Sequence, residues 1–208
     1  MTPPEKPRDT IVARYLETVH YILLKDERMF AYSQLLEISR ANILEDLAFL
    51  FAGYLQWLKG EYDYAIQNFL KSLAVNDNLA YPWLGLGNVY ADQKEYTKAE
   101  EAFRKAITLD ENIAYPWHGL GNVYADRKEY TKAEETFRKA ITLDEKFSYP
   151  WQGLGNVYAD QKEYTKAEEA FRKAITIDEK NASSWNGLGN VYADQKEYTK
   201  AEEAFRKA

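Results

Sequence analysis

The sequence has no cysteine, and only two histidines, two methionines and six prolines in 208 residues. Without cysteine the chain forms no disulfide, holds no metal through thiolates and has no cysteine nucleophile. Basic residues are also in deficit, because 27 Lys and Arg stand against 33 Asp and Glu, for a formal net charge of −6. Nucleic-acid binding needs a concentrated basic face, so we expect no nucleic-acid partner.

Long apolar runs are absent as well. No stretch approaches the length of a membrane-spanning helix, and we expect no membrane partner. The first ten residues, MTPPEKPRDT, are polar and contain no apolar core of a secretory signal. We therefore expect a soluble, cytoplasmic protein.

What the sequence has in abundance is repetition. The segment GLGNVYAD occurs four times, at 85–92, 119–126, 153–160 and 187–194. Two glycines one residue apart also begin phosphate-binding loops, but such a loop follows a strand and precedes a helix. Here the glycines lie inside a helical pattern, which favours a structural role over a nucleotide site.

The repeat has a period of 34 residues, and its first two copies differ at five positions: 84/118, 93/127, 102/136, 112/146 and 113/147. A diverged copy precedes them, and the register continues weakly further upstream. The predicted divisions are a disordered lead-in at 1–7, an N-terminal hairpin (cap or degenerate repeat) at 8–45, a diverged repeat at 46–79, repeats at 80–113, 114–147 and 148–181, and a truncated repeat at 182–208.

Each period predicts two helices, of about 12 and 14 residues. The spacing places these residues on the packed faces of the pair: Trp83, Leu86, Gly87 and Tyr90 on the first helix, with Tyr96, Ala99, Phe103, Ala106 and Ile107 on the second. Gly87 is expected opposite Ala99 and Ala106, where small residues let two helix backbones approach, whereas Gly85 falls away from this face. Thr97 and Glu100 match a capping box at the start of the second helix.

In its order of Trp83, Leu86, Gly87, Tyr90, Ala99, Phe103 and Ala106 on a 34-residue period, the chain resembles the tetratricopeptide repeat family. The resemblance implies an all-α fold, a right-handed superhelical solenoid of antiparallel helix hairpins. It also implies a scaffold that binds protein or peptide partners along a concave groove and performs no catalysis, with no cofactor and no metal. One departure is visible, because Glu111, Glu145 and Glu179 stand where the family usually has a proline.

The side of the first helix opposite its packed face lines the groove in proteins of this family. Four rows of residues are the candidate partner-binding site: Tyr81, Tyr115, Tyr149 and Ser183; Leu84, His118, Gln152 and Asn186; Asn88, Asn122, Asn156 and Asn190; Asp92, Asp126, Asp160 and Asp194.

The second of these rows differs in every repeat although the repeats are otherwise nearly identical. In one interpretation this row reads a partner's side chains while the asparagine amides bind its backbone. In the other, exposed positions have drifted after duplication. The lysines and arginines of a carboxylate clamp, with which related proteins bind acidic C-terminal peptides, are absent. We expect a neutral or basic partner segment.

Three further candidates carry less weight. His118 is expected to make a polar contact rather than to act as a catalyst, and His20 has no neighbours that suggest a metal site. The pair Glu100–Glu101, which recurs in later repeats, is expected on solvated helix faces with Glu101 paired to Lys105.

The C-terminus raises two alternative functions. The final repeat is expected to expose apolar residues such as Val191 and Phe205, because no capping helix follows. A homo-oligomer formed through this uncapped repeat, or through the N-terminal helices, would make the chain a self-associating structural solenoid. Alternatively, the array is the adaptor or sensor part of a longer enzyme or effector.

Overall fold

The computed structural model describes residues 45–208, with side chains from Asp46 onward, so the expected lead-in and N-terminal hairpin lie almost entirely outside it. The described residues form ten α-helices and no strand. The helices are α1 Glu45–Leu58, α2 Tyr62–Val75, α3 Ala80–Asp92, α4 Tyr96–Leu109, α5 Ala114–Asp126, α6 Tyr130–Leu143, α7 Ser148–Asp160, α8 Tyr164–Ile177, α9 Ala182–Asp194 and α10 Tyr198–Lys207.

The chain divides into two compact units, Met1–Gly85 and Leu86–Ala208, and the division falls inside α3. In the described part of the first unit, α1 and α2 pack as a hairpin. The rings of Tyr54 and Phe69 are buried between them, edge to face at 5.1 Å. The Tyr54 hydroxyl donates a 3.1 Å hydrogen bond to the carbonyl of Tyr81, which satisfies its one polar group.

The second unit is built from helix hairpins that pack on their neighbours in order. Helix α5 pairs with α6, α7 with α8 and α9 with α10, and each second helix also packs against the first helix of the next hairpin. The first helices contact one another in turn, α5 with α7 and α7 with α9. The fold class is therefore the all-α solenoid of antiparallel helix hairpins.

The two glycines of GLGNVYAD make room for a phenylalanine ring, and this corrects the expected packing. The nearest neighbour of Gly87 is the Phe103 ring, where Ala99 and Ala106 were expected, and Gly119 of the next hairpin faces the same ring. A Cβ on either glycine would lie 2.5 Å from a ring carbon. Gly85, expected away from the packed face, is buried and faces Phe69 in the same way.

Within each hairpin the turn after the first helix contains a lysine in the left-handed region. Lys94, Lys128, Lys162 and Lys196 have φ between 60° and 64°. The Glu163 N–H reaches back to the Tyr158 carbonyl at 2.8 Å, and the Lys162 N–H to the Ala159 carbonyl at 2.9 Å. These bonds satisfy carbonyl groups at the helix end, in the manner of a Schellman motif.

The expected capping box is wrong. Helix α4 begins at Tyr96, its N-cap residue is Glu95, and no side chain makes a capping hydrogen bond there. Thr97 is therefore already the second residue of the helix. Its expected partner Glu100 bonds instead to the neighbouring hairpin, as described below.

Tryptophan side chains fix the connections that lack the usual proline. The indole N–H of Trp117 donates to the carbonyl of Glu111 at 3.1 Å, and that of Trp185 donates to the carbonyl of Glu179 at 3.0 Å. Both tryptophans are half-buried. Each therefore ties the connection before a first helix to that helix.

Candidate partner-binding face

The candidate face consists of the side chains that the first helices α5, α7 and α9 present away from their second helices. Along α5 the spacing places Tyr115, His118, Asn122 and Asp126 at intervals of three, four and four residues, which keeps them on one stripe. The same stripe on α7 is Tyr149, Gln152, Asn156 and Asp160, and on α9 it is Ser183, Asn186, Asn190 and Asp194.

Exposure varies along these rows. Asn122, Asn156 and Asn190 are exposed, as are Ser183 and Asn186, whereas Asn88 is half-buried. The tyrosines of the first row, Tyr81, Tyr115 and Tyr149, are half-buried. The structure thus leaves most of the asparagine row open to solvent.

Leu84 does not belong on an open face, and its assignment to the groove is corrected. Its side chain is 1% exposed, so it contributes to the interior rather than to a partner contact. The row to which it belongs is consequently mixed, with a buried leucine at one end and the exposed Asn186 at the other.

The aspartate row contacts tyrosines of the preceding hairpin. Tyr130 Oη donates to Asp160 Oδ2 at 3.5 Å. The pKa of Tyr96 is raised by desolvation and by the nearby carboxylate of Asp126, which indicates the same contact one repeat earlier. Both aspartates are exposed, so each contacts a neighbouring tyrosine and still contributes negative charge to the surface.

Charge is segregated between the two kinds of helix. The first helices α3, α5, α7 and α9 contain no lysine and no arginine, and their only carboxylates are the aspartates at their C-terminal ends. The second helices carry lysines and arginines throughout. The candidate face therefore carries negative charge and no positive charge from its own helices.

His118 lies in an aromatic cluster at the junction of α5 and α7. Its ring centre is 5.2 Å from that of Phe147, 5.9 Å from Phe137 and 6.2 Å from Tyr149. Desolvation by burial lowers the pKa of His118 to about 4. The imidazole is therefore neutral near pH 7, and Asn122 Nδ2 lies 3.4 Å from its Nε2.

A polar network behind the face went unrecognised in the sequence. Glu100 of α4 accepts a 2.8 Å hydrogen bond from the Tyr124 hydroxyl of α5, and Arg104 donates to the same hydroxyl at 2.7 Å. Arg127 also reaches Glu100, at 2.8 Å. Glu100 therefore links neighbouring hairpins rather than forming only a solvated helix face.

The network recurs in the next two repeats, with Glu134 and Tyr158 2.7 Å apart and Glu168 and Tyr192 2.9 Å apart. Partial burial disfavours the Glu134 carboxylate, but hydrogen bonds from Tyr158 and Arg138 outweigh it and lower its pKa. Glu, Arg and Tyr recur in the sequence at fixed spacing, which is consistent with a repeated contact. The spacing alone does not predict the network, because that requires knowing which helices pack together.

The described residues offer neither a metal-binding cluster nor a helix suited to spanning a membrane. In the described part of the chain, no group of three or more His, Asp or Glu side chains is placed to hold a metal ion. Among those same residues, no helix has both the length and the apolar character needed to cross a membrane.

The last hairpin exposes one of the two apolar residues expected there. Phe205 is 42% exposed, but Val191 is only 1% exposed, so the expectation for Val191 is wrong. Gly189 faces one side of the Phe205 ring. Val191 is as deeply buried as Val123 and Val157, its equivalents in the two preceding repeats.

Comparison with known proteins identifies the repeat. A model described as tetratricopeptide repeat matches residues 80–113 and 114–147, and one described as TPR repeat matches 155–196. Among curated proteins, no sequence matches this chain significantly.

Solved structures show the same architecture. MamA is 28% identical with a TM-score of 0.63, over 74% of this chain and 91% of that one. PilF of Pseudomonas aeruginosa is 22% identical with a TM-score of 0.72, over 78% of this chain and 74% of that one. YrrB, described as a TPR protein with an unusual peptide-binding site, is 21% identical with a TM-score of 0.58, over 83% of this chain and 89% of that one. The last two likenesses, below 25% identity, show the fold alone.

Proposed function

Because the chain belongs to the tetratricopeptide repeat family, we propose that it is a non-catalytic scaffold that binds a neutral or basic protein segment on its first helices. Proteins of this family are interaction scaffolds. The observation that carries the finer proposal is the absence of lysine and arginine from α3, α5, α7 and α9 beside rows of exposed asparagine and aspartate.

The asparagine row supplies the contacts to the partner's backbone. Each amide both donates to a carbonyl and accepts from an N–H, so Asn122, Asn156 and Asn190 can bind an extended segment whatever its side chains. The aspartates beside them favour positive charge and disfavour carboxylates. Acidic C-terminal peptides, which need a basic clamp, are therefore expected not to bind.

The test compares a panel of fluorescein-labelled basic, neutral and acidic peptides by fluorescence anisotropy. We expect the basic and neutral peptides to bind the natural chain and the acidic ones to fail. The triple variant Asn122→Ala, Asn156→Ala, Asn190→Ala should lose at least tenfold in affinity, because three backbone contacts are removed together.

The matched control is Thr97→Ala, Thr131→Ala, Thr165→Ala, which removes three exposed polar groups at the same spacing from the second helices. Circular dichroism establishes that both triple variants stay helical. The proposal is overturned if the asparagine variant binds the same peptides with unchanged affinity, or if acidic peptides bind as well as basic ones.

A second candidate, self-association, rests on the exposed ring of Phe205. Phe137 and Phe171 occupy the equivalent positions in earlier repeats and are buried. Sedimentation velocity over a hundredfold concentration range should show a larger species that Phe205→Ser abolishes. Tyr198→Ser, which alters an aromatic 67% exposed on the same helix, is the control. A single monomeric species at every concentration would dismiss this candidate.

A further inference from the structure

The aromatic cluster at the α5–α7 junction interrupts an otherwise regular face. It consists of Tyr115, His118, Phe147 and Tyr149, in which Phe147 lies 4.8 Å from Tyr115 and 5.9 Å from Tyr149, ring centre to ring centre. Phe147 is 6% exposed and forms the base of the cluster, while the other three rings are half-buried. The cluster thus gathers three partly exposed aromatic residues on the stripes that carry the asparagine row.

The cluster occurs at one junction only within residues 86–208. One repeat later, the positions of His118 and Phe147 are occupied by Gln152 and Asn181, and Ser183 replaces the tyrosine. The asparagine and aspartate rows, in contrast, repeat without change. A segment held only by those rows would bind equally well after a shift of one repeat, because each hairpin offers the same contacts.

The electrostatic surroundings of the cluster favour a cation. His118 is uncharged at neutral pH, and neither α5 nor α7 contributes a basic residue. The connection before α7 brings Asp144, Glu145 and Lys146, a net negative charge. The faces of aromatic rings attract cations, and arginine, which is planar and weakly hydrated, stacks on them better than lysine.

Tyrosine faces in this protein already receive cations from the chain itself. Lys132 Nζ lies 5.3 Å from the centre of the Tyr124 ring, Lys166 Nζ 5.4 Å from Tyr158, and Lys200 Nζ 5.3 Å from Tyr192. These three tyrosines are only 3–4% exposed. The contacts therefore show that the face of a tyrosine ring in these hairpins accommodates a positive group.

Resting on the proposed function, we propose that the cluster of Tyr115, His118 and Tyr149 over Phe147 binds one arginine side chain of the partner segment and thereby fixes its register. The guanidinium stacks on the rings, and the asparagine row binds the backbone that follows. A partner would then be recognised by an arginine at one defined position within a neutral or basic stretch.

The test uses three nine-residue fluorescein-labelled peptides with a Gly–Ser background and a single arginine, lysine or glutamate at the fifth position. Anisotropy titrations should give the arginine peptide at least fivefold tighter binding than the lysine peptide, and no binding of the glutamate peptide. The double variant His118→Gln, Phe147→Asn places the residues of the next repeat at this junction. It should erase the preference for arginine over lysine, so that the affinity of the arginine peptide falls at least fivefold and the two basic peptides bind equally.

A gain-of-function variant protects the test against a simple loss of folding. The triple variant Gln152→His, Asn181→Phe, Ser183→Tyr rebuilds the cluster at the next junction and should raise the number of arginine-peptide sites from one to two. Binding of all basic peptides without an arginine preference, unaffected by either variant, would overturn this inference and leave the proposed function standing. Failure of every basic and neutral peptide to bind would overturn both.

Discussion

At the scale of single residues, a lysine occupies a backbone conformation that suits glycine. Lys162 has φ of 61°, where a Cβ crowds the following carbonyl, at a cost of about 1–2 kcal/mol. The diverged hairpin has Gly60 at the equivalent position, with φ of 76°. The lysines therefore keep the turn geometry at the expense of stability.

Lys162→Gly is accordingly expected to stabilise the chain. Relief of the strain exceeds the extra flexibility that glycine gives the unfolded chain, roughly 0.5–1 kcal/mol, so we expect a net gain of about 0.5–1 kcal/mol in the free energy of unfolding. Urea denaturation measures the change. Lys173→Gly, in the exposed middle of α8, is the control and should lose about 1 kcal/mol. A loss of equal size at both positions would contradict the argument.

The residues that vary between repeats show which features of the site a single sequence predicts at this scale and which it does not. His118 and Phe147 are two of the five places where the second repeat departs from the first, and the structure puts their rings in contact. Arg127, at a third such place, bonds to Glu100. The departures were visible as single changes, but their pairing depends on contacts between hairpins, which a 34-residue period does not contain.

At the scale of elements, the helices followed from periodicity while their contacts did not. Apolar spacing predicted two helices per repeat, close to the observed 13 and 14 residues of α5 and α6. The capping box failed because the N-cap of helix α4 is Glu95, two residues before Thr97, and because Glu100 bonds to Tyr124 in the next hairpin. The partners of side chains that join hairpins depend on how the helices pack, which spacing within a single helix does not predict.

The Glu–Arg–Tyr network yields a prediction at this scale. Tyr158→Phe removes the hydroxyl that bonds to Glu134 and Arg138, and we expect it to lower the free energy of unfolding by about 1 kcal/mol at pH 7. Since the pKa of Glu134 is lowered in the folded state, its contribution is present above the ordinary pKa of 4.5 and is lost as pH falls through the folded value.

The difference between the natural chain and Tyr158→Phe should therefore shrink when urea denaturation is repeated at pH 3. Tyr198→Phe is the control, because this exposed hydroxyl lies on the last helix, and its effect should stay within about 0.5 kcal/mol at both pH values. A difference for Tyr158→Phe that is the same at pH 3 and pH 7 would show that Glu134 is not the partner that matters.

At the scale of the whole molecule, the repetition of the sequence allows the fold to be predicted but does not identify the binding partner. The four copies from residue 80 onward repeat the same two glycines, the same phenylalanine and two of their tyrosines, so one sequence specifies the architecture several times. The binding face is specified differently, by rows whose exposure depends on neighbouring hairpins. Leu84 shows this, since its position suggested an open groove and its side chain is buried.

The same repetition predicts that the cost of losing a phenylalanine depends on its position in the array. Phe137 is fully buried and its ring contacts both Gly121 of its own hairpin and Gly153 of the next, so it joins two hairpins. Phe137→Ala should lower the free energy of unfolding by about 3–5 kcal/mol, because it leaves a cavity within one hairpin and at its junction with the next.

The contrasting substitution is Phe205→Ala in the last hairpin. Phe205 is faced by Gly189 and is 42% exposed, so less of its ring leaves water on folding. We expect Phe205→Ala to lower the free energy of unfolding by under about 1.5 kcal/mol. Urea denaturation gives both values, and hydrogen exchange should show lost protection in α5 through α8 for the first variant and in α9 and α10 alone for the second. Equal costs at the two positions would mean that stability is not a sum of neighbour contacts along the array.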